Sequence, residues 1–226
     1  MSQPATAKGS ATRDGIVDRA YEIARFSGVE GLSIGPLAQA VGMSKSGVFA
    51  HFGSREELQL AVIESAATRF GEAVFVPALS EPRGLPRLRA IMRHWFEWVR
   101  GHEGGCVLLG SVTEYDDRPG PLRDQVLRNE QRWRSLLCGA IRLAIDAGHL
   151  RPGDPEQYAF ELYAIALTVH HKAGMFGYDQ ARRLGDRAAD RWFAANTPDA
   201  ADEPAGQAAP AADDASPPSP AVALTT

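Results

Sequence analysis

Several features that mark other protein classes are missing or rare in this sequence of 226 residues. No apolar run approaches the ~18 residues of a membrane-spanning helix, and the first twelve residues lack the apolar core of a signal peptide. The two cysteines, Cys106 and Cys138, are too few for a disulfide framework and do not have the spacing of a metal site. We therefore expect a cytoplasmic protein that has no membrane partner and binds no metal or cofactor.

A block of basic residues, which often marks a nucleic-acid-binding surface, is also missing. The net charge is -4, but it is unevenly distributed. Residues 1–60 contain six basic and six acidic side chains, whereas residues 197–226 contain five acidic side chains and no lysine or arginine. Because most of the negative charge lies in the C-terminal segment, the net charge neither supports nor excludes binding of DNA by the N-terminal residues.

Residues that could carry catalysis do not form a recognisable pattern. The sequence has no pairing of nucleophile and base and no glycine-rich phosphate loop, so we predict no enzymatic activity. His170 and His171 are adjacent and face different sides of a helix, unlike the i, i+4 pair of a helical metal site. Cys106 lies at the start of a predicted helix, where the thiol pKa is lowered. This cysteine could act as a redox sensor or simply pack as a small buried residue. The second role is more common for a free cysteine.

Glycine and proline divide the sequence into segments of helical length, and no run of alternating β-type residues occurs. We predict an all-α fold with a flexible N-terminus over residues 1–11, a helical domain over 12–60 whose fourth helix continues to about residue 75, and a second helical domain over 76–196. Residues 197–226 consist mainly of alanine, proline, aspartate and serine and predict a disordered acidic tail. The predicted helices are Thr12–Ser27, Ser33–Val41, Ser44–Phe52, Ser54–Phe75, Pro86–Arg100, Cys106–Tyr115, Leu122–Ala147, Pro155–Met175 and Gln180–Ala195.

Residues 33–52 have the pattern of a helix, a short turn and a second helix. Ser33 and Ser44 are good N-cap residues for the two helices, and Gly42 favours the end of the first. In a helix-turn-helix, the N-terminal end of the second helix enters the major groove of DNA. Small side chains there allow a close approach to the bases, and this helix offers Ser44, Ser46, Gly47 and Ala50, with Lys45 as the one long donor. A helical hairpin that serves only protein interaction has the same spacing, so the pattern alone leaves both functions open.

The segment 12–60 resembles the N-terminal domain of the tetracycline-repressor (TetR) family of transcription regulators. The matching residues are Ser33, Leu37-Ala38, Val41-Gly42-Met43-Ser44, Val48-Phe49-Ala50-His51-Phe52 and Ser54-Arg55-Glu56-Glu57-Leu58. The remaining chain resembles the effector and dimerisation domain of that family in length and helix layout alone. The resemblance implies a sequence-specific, homodimeric regulator of double-stranded operator DNA, most often a ligand-responsive repressor.

The resemblance also implies roles for individual residues. Those that face bases or the sugar-phosphate backbone are Lys45, Ser46, Gly47, Phe49 and Ala50, and those that hold phosphates are Ser33, His51 and Arg55. A helix capped by Ser33 would attract an anion, a neutral His51 can donate a hydrogen bond, and Arg55 is long enough to reach the DNA backbone. Phe49 departs from the tyrosine usual in the family, so we expect an apolar contact there.

The region 76–196 predicts a dimer interface. The segment Pro155–Met175 is apolar over most of its circumference, through Tyr158, Phe160, Leu162, Tyr163, Ile165 and Leu167. We predict that this helix and Gln180–Ala195 join two copies of the chain. A two-fold dimer would then place its recognition helices one DNA turn apart, roughly 34–36 Å.

The same region is rich in aromatic and sulfur-containing side chains, which line many small-molecule sites. We predict a pocket for a small apolar ligand that releases DNA, formed by Met92, Trp95, Phe96, Trp98, Leu109, Tyr115 and Trp133. A simple hydrophobic core has a similar composition, and we expect most of these side chains to belong to the core.

Overall fold

The structure, a computed structural model, describes residues 7–102 and 105–198. All regular structure within these residues is helical, which confirms the all-α prediction. The helices are α1 (Ala7–Ser27), α2 (Ile34–Ala40), α3 (Lys45–Phe52), α4 (Arg55–Phe70), α5 (Val76–Ala78), α6 (Leu85–Gly101), α7 (Val107–Tyr115), α8 (Pro121–Asp146), α9 (Pro155–Phe176) and α10 (Tyr178–Asn196), with a π-helical turn over Gly71–Phe75. None of the helices in the described residues has the length and apolar character that a membrane span requires.

The first hydrophobic core lies among α1, α2, α3 and α4. Its centre contains the fully buried side chains Leu37, Val48, Leu58, Val62 and Ile63. Three side chains from later in the chain complete it, namely Val107 and Tyr115 of α7 and Val126 of α8. The N-terminal helices therefore share their core with the helices of the C-terminal region.

The second core lies among α6, α8, α9 and α10. Helices α9 and α10 are separated by the single residue Gly177 and pack along each other. Gly185 of α10 is essential to this packing, because a Cβ atom there would overlap Val169 of α9. The phenyl ring of Phe96 from α6 is the next neighbour of the same glycine.

Two predicted helix boundaries were wrong. Helix α1 begins at Ala7, so part of the predicted flexible N-terminus is helical, and residues 1–6 lie outside the described residues. The fourth helix was predicted to stop before Pro77, but the π-helical turn leads into α5, which contains that proline in its first turn. Proline is tolerated there because the first turn of a helix does not use its backbone N–H groups. Nearly all of the predicted tail, from residue 199 onward, lies outside the described residues.

Candidate nucleic-acid interface and adjoining cavity

Helices α2 and α3 form the predicted helix-turn-helix. Gly42 lies in the turn with a φ of +67°, a conformation that favours glycine. The backbone N–H of Met43 donates to the carbonyl of Ala38 over 2.9 Å and closes the turn. Helix α3 begins at Lys45 because the hydroxyl of Ser44 accepts the backbone N–H of Gly47 over 3.0 Å, which confirms the predicted cap.

Helix α3 has a buried face and an exposed face. Val48 and Phe52 are buried in the N-terminal core and fix the rotation of the helix. The opposite face exposes the side chains of Ser44, Lys45, Ser46 and Ala50, as well as the phenyl ring of Phe49, which is 42% exposed. A helix that exposes small side chains at its N-terminal end can approach base edges closely in the major groove.

Ser33 and His51 lie at opposite ends of the two-helix unit. Ser33 occupies the N-cap position of α2 with extended backbone, but its hydroxyl makes no capping hydrogen bond. The predicted N-cap position of Ser33 is therefore confirmed without the expected side-chain hydrogen bond, and the residue is exposed beside the first turn. His51 is half-buried in the last turn of α3. Their predicted contacts with phosphates stay predictions.

Arg55 is exposed, and its guanidinium group contacts the loop between α1 and α2. Its Nε donates to the carbonyl of Leu32 over 2.8 Å, and its Nη2 donates to the carbonyl of Glu30. The same Nη2 lies 3.5 Å from the carboxylate of Glu30. The guanidinium group thus contacts the loop that leads into Ser33 and can position it, while the predicted phosphate contact of this exposed residue stays a prediction.

Glu30 connects this loop to α7. Its carboxylate accepts a hydrogen bond from the hydroxyl of Tyr115 over 3.1 Å, and its backbone N–H donates to the carboxylate of Glu114 over 2.9 Å. Burial, and next the Glu30 carboxylate, raise the pKa of Tyr115. Gly28 allows the close approach, since a side chain there would overlap Glu114. The prediction that Tyr115 lines a ligand pocket was wrong, because its ring lies in the N-terminal core.

A second junction connects α1 to the end of α6. The hydroxyl of Tyr21 and Nε2 of His102 are 2.8 Å apart, and Nδ1 of His102 is 2.7 Å from the carbonyl of Trp98. Burial lowers the pKa of His102, which favours a neutral ring that donates from Nδ1 and accepts from Tyr21 at Nε2. The imidazole also stacks on the indole of Trp98, with ring centroids 3.6 Å apart. Arg25 of α1 adds a hydrogen bond of 3.0 Å to the carbonyl of Gly101.

A cavity of about 30 Å³ lies among α4, α6, α7, α8 and α9. Four of the seven predicted pocket residues line it, namely Trp95, Trp98, Leu109 and Trp133. The other lining residues were not predicted from the sequence; they are Phe70, Val99, Cys106, Leu108, Glu130, Tyr163, Ala166, Leu167 and His170. A groove of about 430 Å³ adjoins the cavity and shares five of its residues, and it extends between α7 and α9 to the end of α1.

Two further predicted pocket residues belong to the core. Met92 and Phe96 are buried in the second hydrophobic core and do not line the cavity. The ring of Phe96 packs against Gly185 of α10, with the guanidinium of Arg182 above it at 5.4 Å. The ring of Phe96 therefore faces α10 and not the cavity.

Burial is the main cause of the pKa shifts of the titratable groups around the cavity. Burial raises the pKa of Glu130, and a hydrogen bond with the side chain of Trp133 partly offsets this effect. Burial, and next the Glu130 carboxylate, raise the pKa of Tyr163 to about 12. Burial lowers the pKa of His170 and raises that of the Cys106 thiol. Cys106 is therefore a buried, protonated thiol, and its pKa does not support the redox-sensing alternative.

Two family models match this chain in consecutive regions. Residues 16–62 match the model of bacterial regulatory proteins of the tetR family, and residues 84–189 match the tetracyclin repressor-like C-terminal domain. The first match covers the helix-turn-helix, and the second covers α6 to most of α10. The chain belongs to the tetracycline-repressor (TetR) family. It is accordingly a DNA-binding transcriptional regulator.

Solved structures share the fold of this TetR-family regulator. A TetR transcriptional regulator from Chloroflexus aurantiacus is 25% identical with a TM-score of 0.74, over 84% of this chain and 96% of that one. A TetR-family regulator from Cytophaga hutchinsonii is 18% identical with a TM-score of 0.73, over 85% and 98%. AibR, solved in complex with isovaleryl coenzyme A and operator DNA, is 24% identical with a TM-score of 0.63, over 83% and 98%. Among curated proteins there is no significant sequence match.

TetR regulators bind operator DNA as homodimers, and this TetR-family chain has an exposed apolar face on α9 and α10. Phe160, Met175, Phe176 and Leu184 are all large apolar side chains that are exposed there. Three of the side chains that were predicted to join the dimer are used within the chain, because Leu162 is fully buried and both Tyr163 and Leu167 line the cavity. The surplus apolar surface on α9 is thus smaller than its sequence predicted, and α10 adds Leu184 to it.

Proposed function

We propose that this TetR-family regulator is a homodimeric, ligand-responsive repressor that acts in the cytoplasm without catalysing a reaction. The observation that carries the proposal is the exposed face of α3, where Ser44 caps the helix and Val48 and Phe52 anchor it from behind. This arrangement presents the N-terminal end of a short, rigid helix to the solvent. The major groove accepts such a helix.

We assign roles to the exposed residues from their side chains. Lys45 is the long donor at the first position of α3, and lysine pairs with O6 and N7 of guanine. Ser44, Ser46, Gly47 and Ala50 are small enough to allow a close approach, and the ring of Phe49 offers apolar contact to a sugar or a thymine methyl group. Ser33 and His51 provide donors to phosphates. Arg55 acts indirectly, by holding the loop that carries Ser33.

Dimerisation through α9 and α10 would supply the second recognition helix. A groove of about 360 Å³ runs along these helices and is lined mostly by small and aliphatic side chains, including Ala164, Ile165 and Leu184. An exposed apolar strip of this kind favours self-association. Two-fold symmetry would place the two copies of α3 in successive major grooves on one side of the operator.

The two junctions give a ligand a physical route to the DNA-binding helices. Trp98 lines the cavity and stacks on His102, which is hydrogen-bonded to Tyr21 of α1. Leu109 of α7 lines the same cavity, and Tyr115 of the same helix is bonded to Glu30. A ligand that fits only after α6 and α7 move would favour a conformation with different spacing of the recognition helices. AibR, which has the same fold, is seen with both a ligand and operator DNA, and this supports the proposal.

A binding experiment with the DNA upstream of the protein's own coding sequence tests this function. We expect a shifted band in a gel-shift assay that competes with specific but not with unrelated DNA, and that disappears on addition of an effective small apolar compound. A protein-interaction module that does not read DNA would give no sequence-dependent shift. A constitutive regulator would keep its shift with every compound of a broad panel.

A further inference from the structure

We propose that the cavity binds the positively charged group of an organic ammonium ion, whose apolar body occupies the adjoining groove. The inference rests on the proposed ligand-responsive function and names the chemical class of its ligand. Three observations support it: the half-buried carboxylate of Glu130, the aromatic rings around it, and the distribution of the other charges near the cavity.

Glu130 is an unusual residue for an aromatic cavity. Its carboxylate is half-buried and hydrogen-bonded with the side chain of Trp133, and partial loss of hydration is costly for a charged group that has no basic partner. No lysine or arginine of the described residues lines the cavity with Glu130. The neighbouring arginines of α8 face elsewhere, since Arg132 lies 3.6 Å from Glu64 and Arg134 pairs with Glu156. A bound cation would supply the charge partner that the chain does not place in the cavity.

Aromatic rings line the cavity and pack against one another. The centroid of Trp133 lies 5.3 Å from that of Trp95 and 4.9 Å from that of Tyr163, and Trp95 and Tyr163 are 6.0 Å apart. Phe70 adds a fourth ring, 5.3 Å from Trp95. The face of an aromatic ring carries partial negative charge and attracts ammonium groups, most strongly when water is excluded. The rings and the carboxylate therefore favour the same sign of charge.

The other titratable groups do not favour an anion in the cavity. Burial lowers the pKa of His170 from its usual value, so this imidazole is neutral near pH 7. Arg25 lines the groove and not the cavity, and its guanidinium group bonds to Glu22 over 3.2 Å and to the carbonyl of Gly101 over 3.0 Å. A carboxylate or phosphate placed in the cavity would face Glu130 without a compensating positive charge.

The sizes of the cavity and the groove match a ligand that carries a small charged group on a larger apolar body. The cavity of about 30 Å³ is large enough for a group of the size of one or two water molecules, such as a primary ammonium. The groove of about 430 Å³ is within the usual range of small-molecule sites and joins the cavity through Cys106, Leu109 and Tyr163. A ligand that spans both would contact α7 and the end of α1 at once.

The test compares three probes of similar shape and different charge: 2-phenylethylammonium, 2-phenylethanol and 3-phenylpropionate. Binding to the full-length protein is followed at pH 7 by the fluorescence of the cavity tryptophans and by calorimetry. We expect the ammonium probe to bind at least about tenfold more tightly than the alcohol, and the carboxylate to bind most weakly. Equal affinities for the three probes, a preference for the carboxylate, or no binding of the ammonium probe would overturn the proposal.

Two substitutions on α8 complete the test. Glu130→Gln removes the charge with little change in shape, and we expect it to lose about tenfold in affinity for the ammonium probe and little for the alcohol. Asp124→Asn, at an exposed position of the same helix, is the matched control and should leave both affinities unchanged. Equal losses in the two variants, or no loss in Glu130→Gln, would contradict the proposal. Unchanged operator binding by Glu130→Gln without ligand would show that the variant is folded.

Release of the protein from its operator is measured separately. Failure of the proposed ammonium binding can then be distinguished from failure of the proposed ligand response. If the ammonium probe binds as expected but leaves the protein on its operator, the binding inference stands and the proposed ligand response is wrong for this ligand class. If another compound releases the operator and the ammonium probe does not bind, the ligand response stands and the inference is wrong.

Discussion

The hydroxyl of Tyr115, in the last turn of α7, donates a hydrogen bond over 3.1 Å to the carboxylate of Glu30 in the loop between α1 and α2. The carbonyl of Glu30 in turn accepts a hydrogen bond from Arg55 at the start of α4. One loop residue therefore contacts both a helix that lines the cavity and the helix that follows α3. Movement of α7 is expected to change the loop that positions α2.

Tyr115→Phe tests this coupling. The variant keeps the buried ring but removes the hydrogen bond, and we expect the free energy of unfolding to fall by about 1 kcal/mol. We also expect the ligand to release the operator less effectively, as measured by fluorescence anisotropy of labelled DNA. Tyr158→Phe is the control, because its hydroxyl bonds to the carbonyl of Arg151 within the C-terminal region. A normal ligand response in Tyr115→Phe would contradict the assigned role.

Arg55 offers a test between positioning and direct contact with phosphate. We expect Arg55→Lys and Arg55→Ala to weaken binding to all DNA sequences to a similar extent, because lysine lacks the Nε donor that bonds to Leu32. The dependence of affinity on salt concentration should stay nearly unchanged in both variants. A direct phosphate contact would instead give near-normal binding by Arg55→Lys and would reduce the salt slope of Arg55→Ala by about 1.

Lys45 is expected to determine preference at one base step. Lys45→Ala should lower the discrimination between the preferred base pair and the others at that step by ~1–3 kcal/mol, while binding to other positions of the operator stays sequence-dependent. Competition assays with single-base operator variants measure this effect. Uniform weakening across all the operator variants would assign Lys45 to the DNA backbone.

The dimer interface is tested with two leucines that are equally exposed. Leu184 on α10 and Leu136 on α8 each expose 46% of their surface. We expect Leu184→Arg to give a monomer at micromolar concentration and to lose operator affinity, because a charged side chain would lie within the apolar interface. Leu136→Arg should remain a dimer. Light scattering distinguishes these results, and a dimeric Leu184→Arg would contradict the proposed interface.

The lowered pKa of His102 predicts that the free energy of unfolding depends on pH. An imidazole has a pKa of about 6.5 in the unfolded chain, and burial lowers the pKa of His102 in the folded protein. Between these two pKa values the unfolded chain binds a proton that the folded chain does not. The contribution of neutral His102 to the free energy of unfolding is thus complete above about pH 6.5 and is lost as the pH falls.

His102→Gln should reduce this dependence. Urea unfolding of the variant at several pH values is expected to show a smaller loss of stability below pH ~6.5 than the wild type. Some dependence should remain, because burial also lowers the pKa values of His94 and His170. An unchanged slope in the variant would mean that His102 is not held in its neutral form.

The sequence predicted the helix-turn-helix well because local signals determine it. Ser44 forms the expected cap, and Gly42 adopts a positive φ in the turn at the end of α2. Ser54 caps α4 in the same way, and Val48 and Phe52 form the inner face of α3. Each of these features depends on residues within a few positions of one another, so each can be predicted from a single sequence.

The cavity and the junctions were harder to predict because they depend on residues that are distant in sequence. Trp95 and Trp98 were identified from their density on α6, but Phe70, Glu130 and Tyr163 join them from three other helices. No periodicity within α6 distinguishes the side chains that face the cavity from the buried Met92. The contacts of Arg55 with the loop between α1 and α2 likewise depend on how the helices pack.

The central claim is that α3 reads operator DNA and that a ligand in the C-terminal region controls this binding. The most direct measurement is fluorescence anisotropy of the full-length protein with labelled DNA from upstream of its coding sequence, with and without ligand. We predict saturable binding by a dimer, at least about a thousandfold tighter than to unrelated DNA, and release by a ligand that occupies the cavity. Equal affinity for upstream and unrelated DNA at physiological salt would contradict the account.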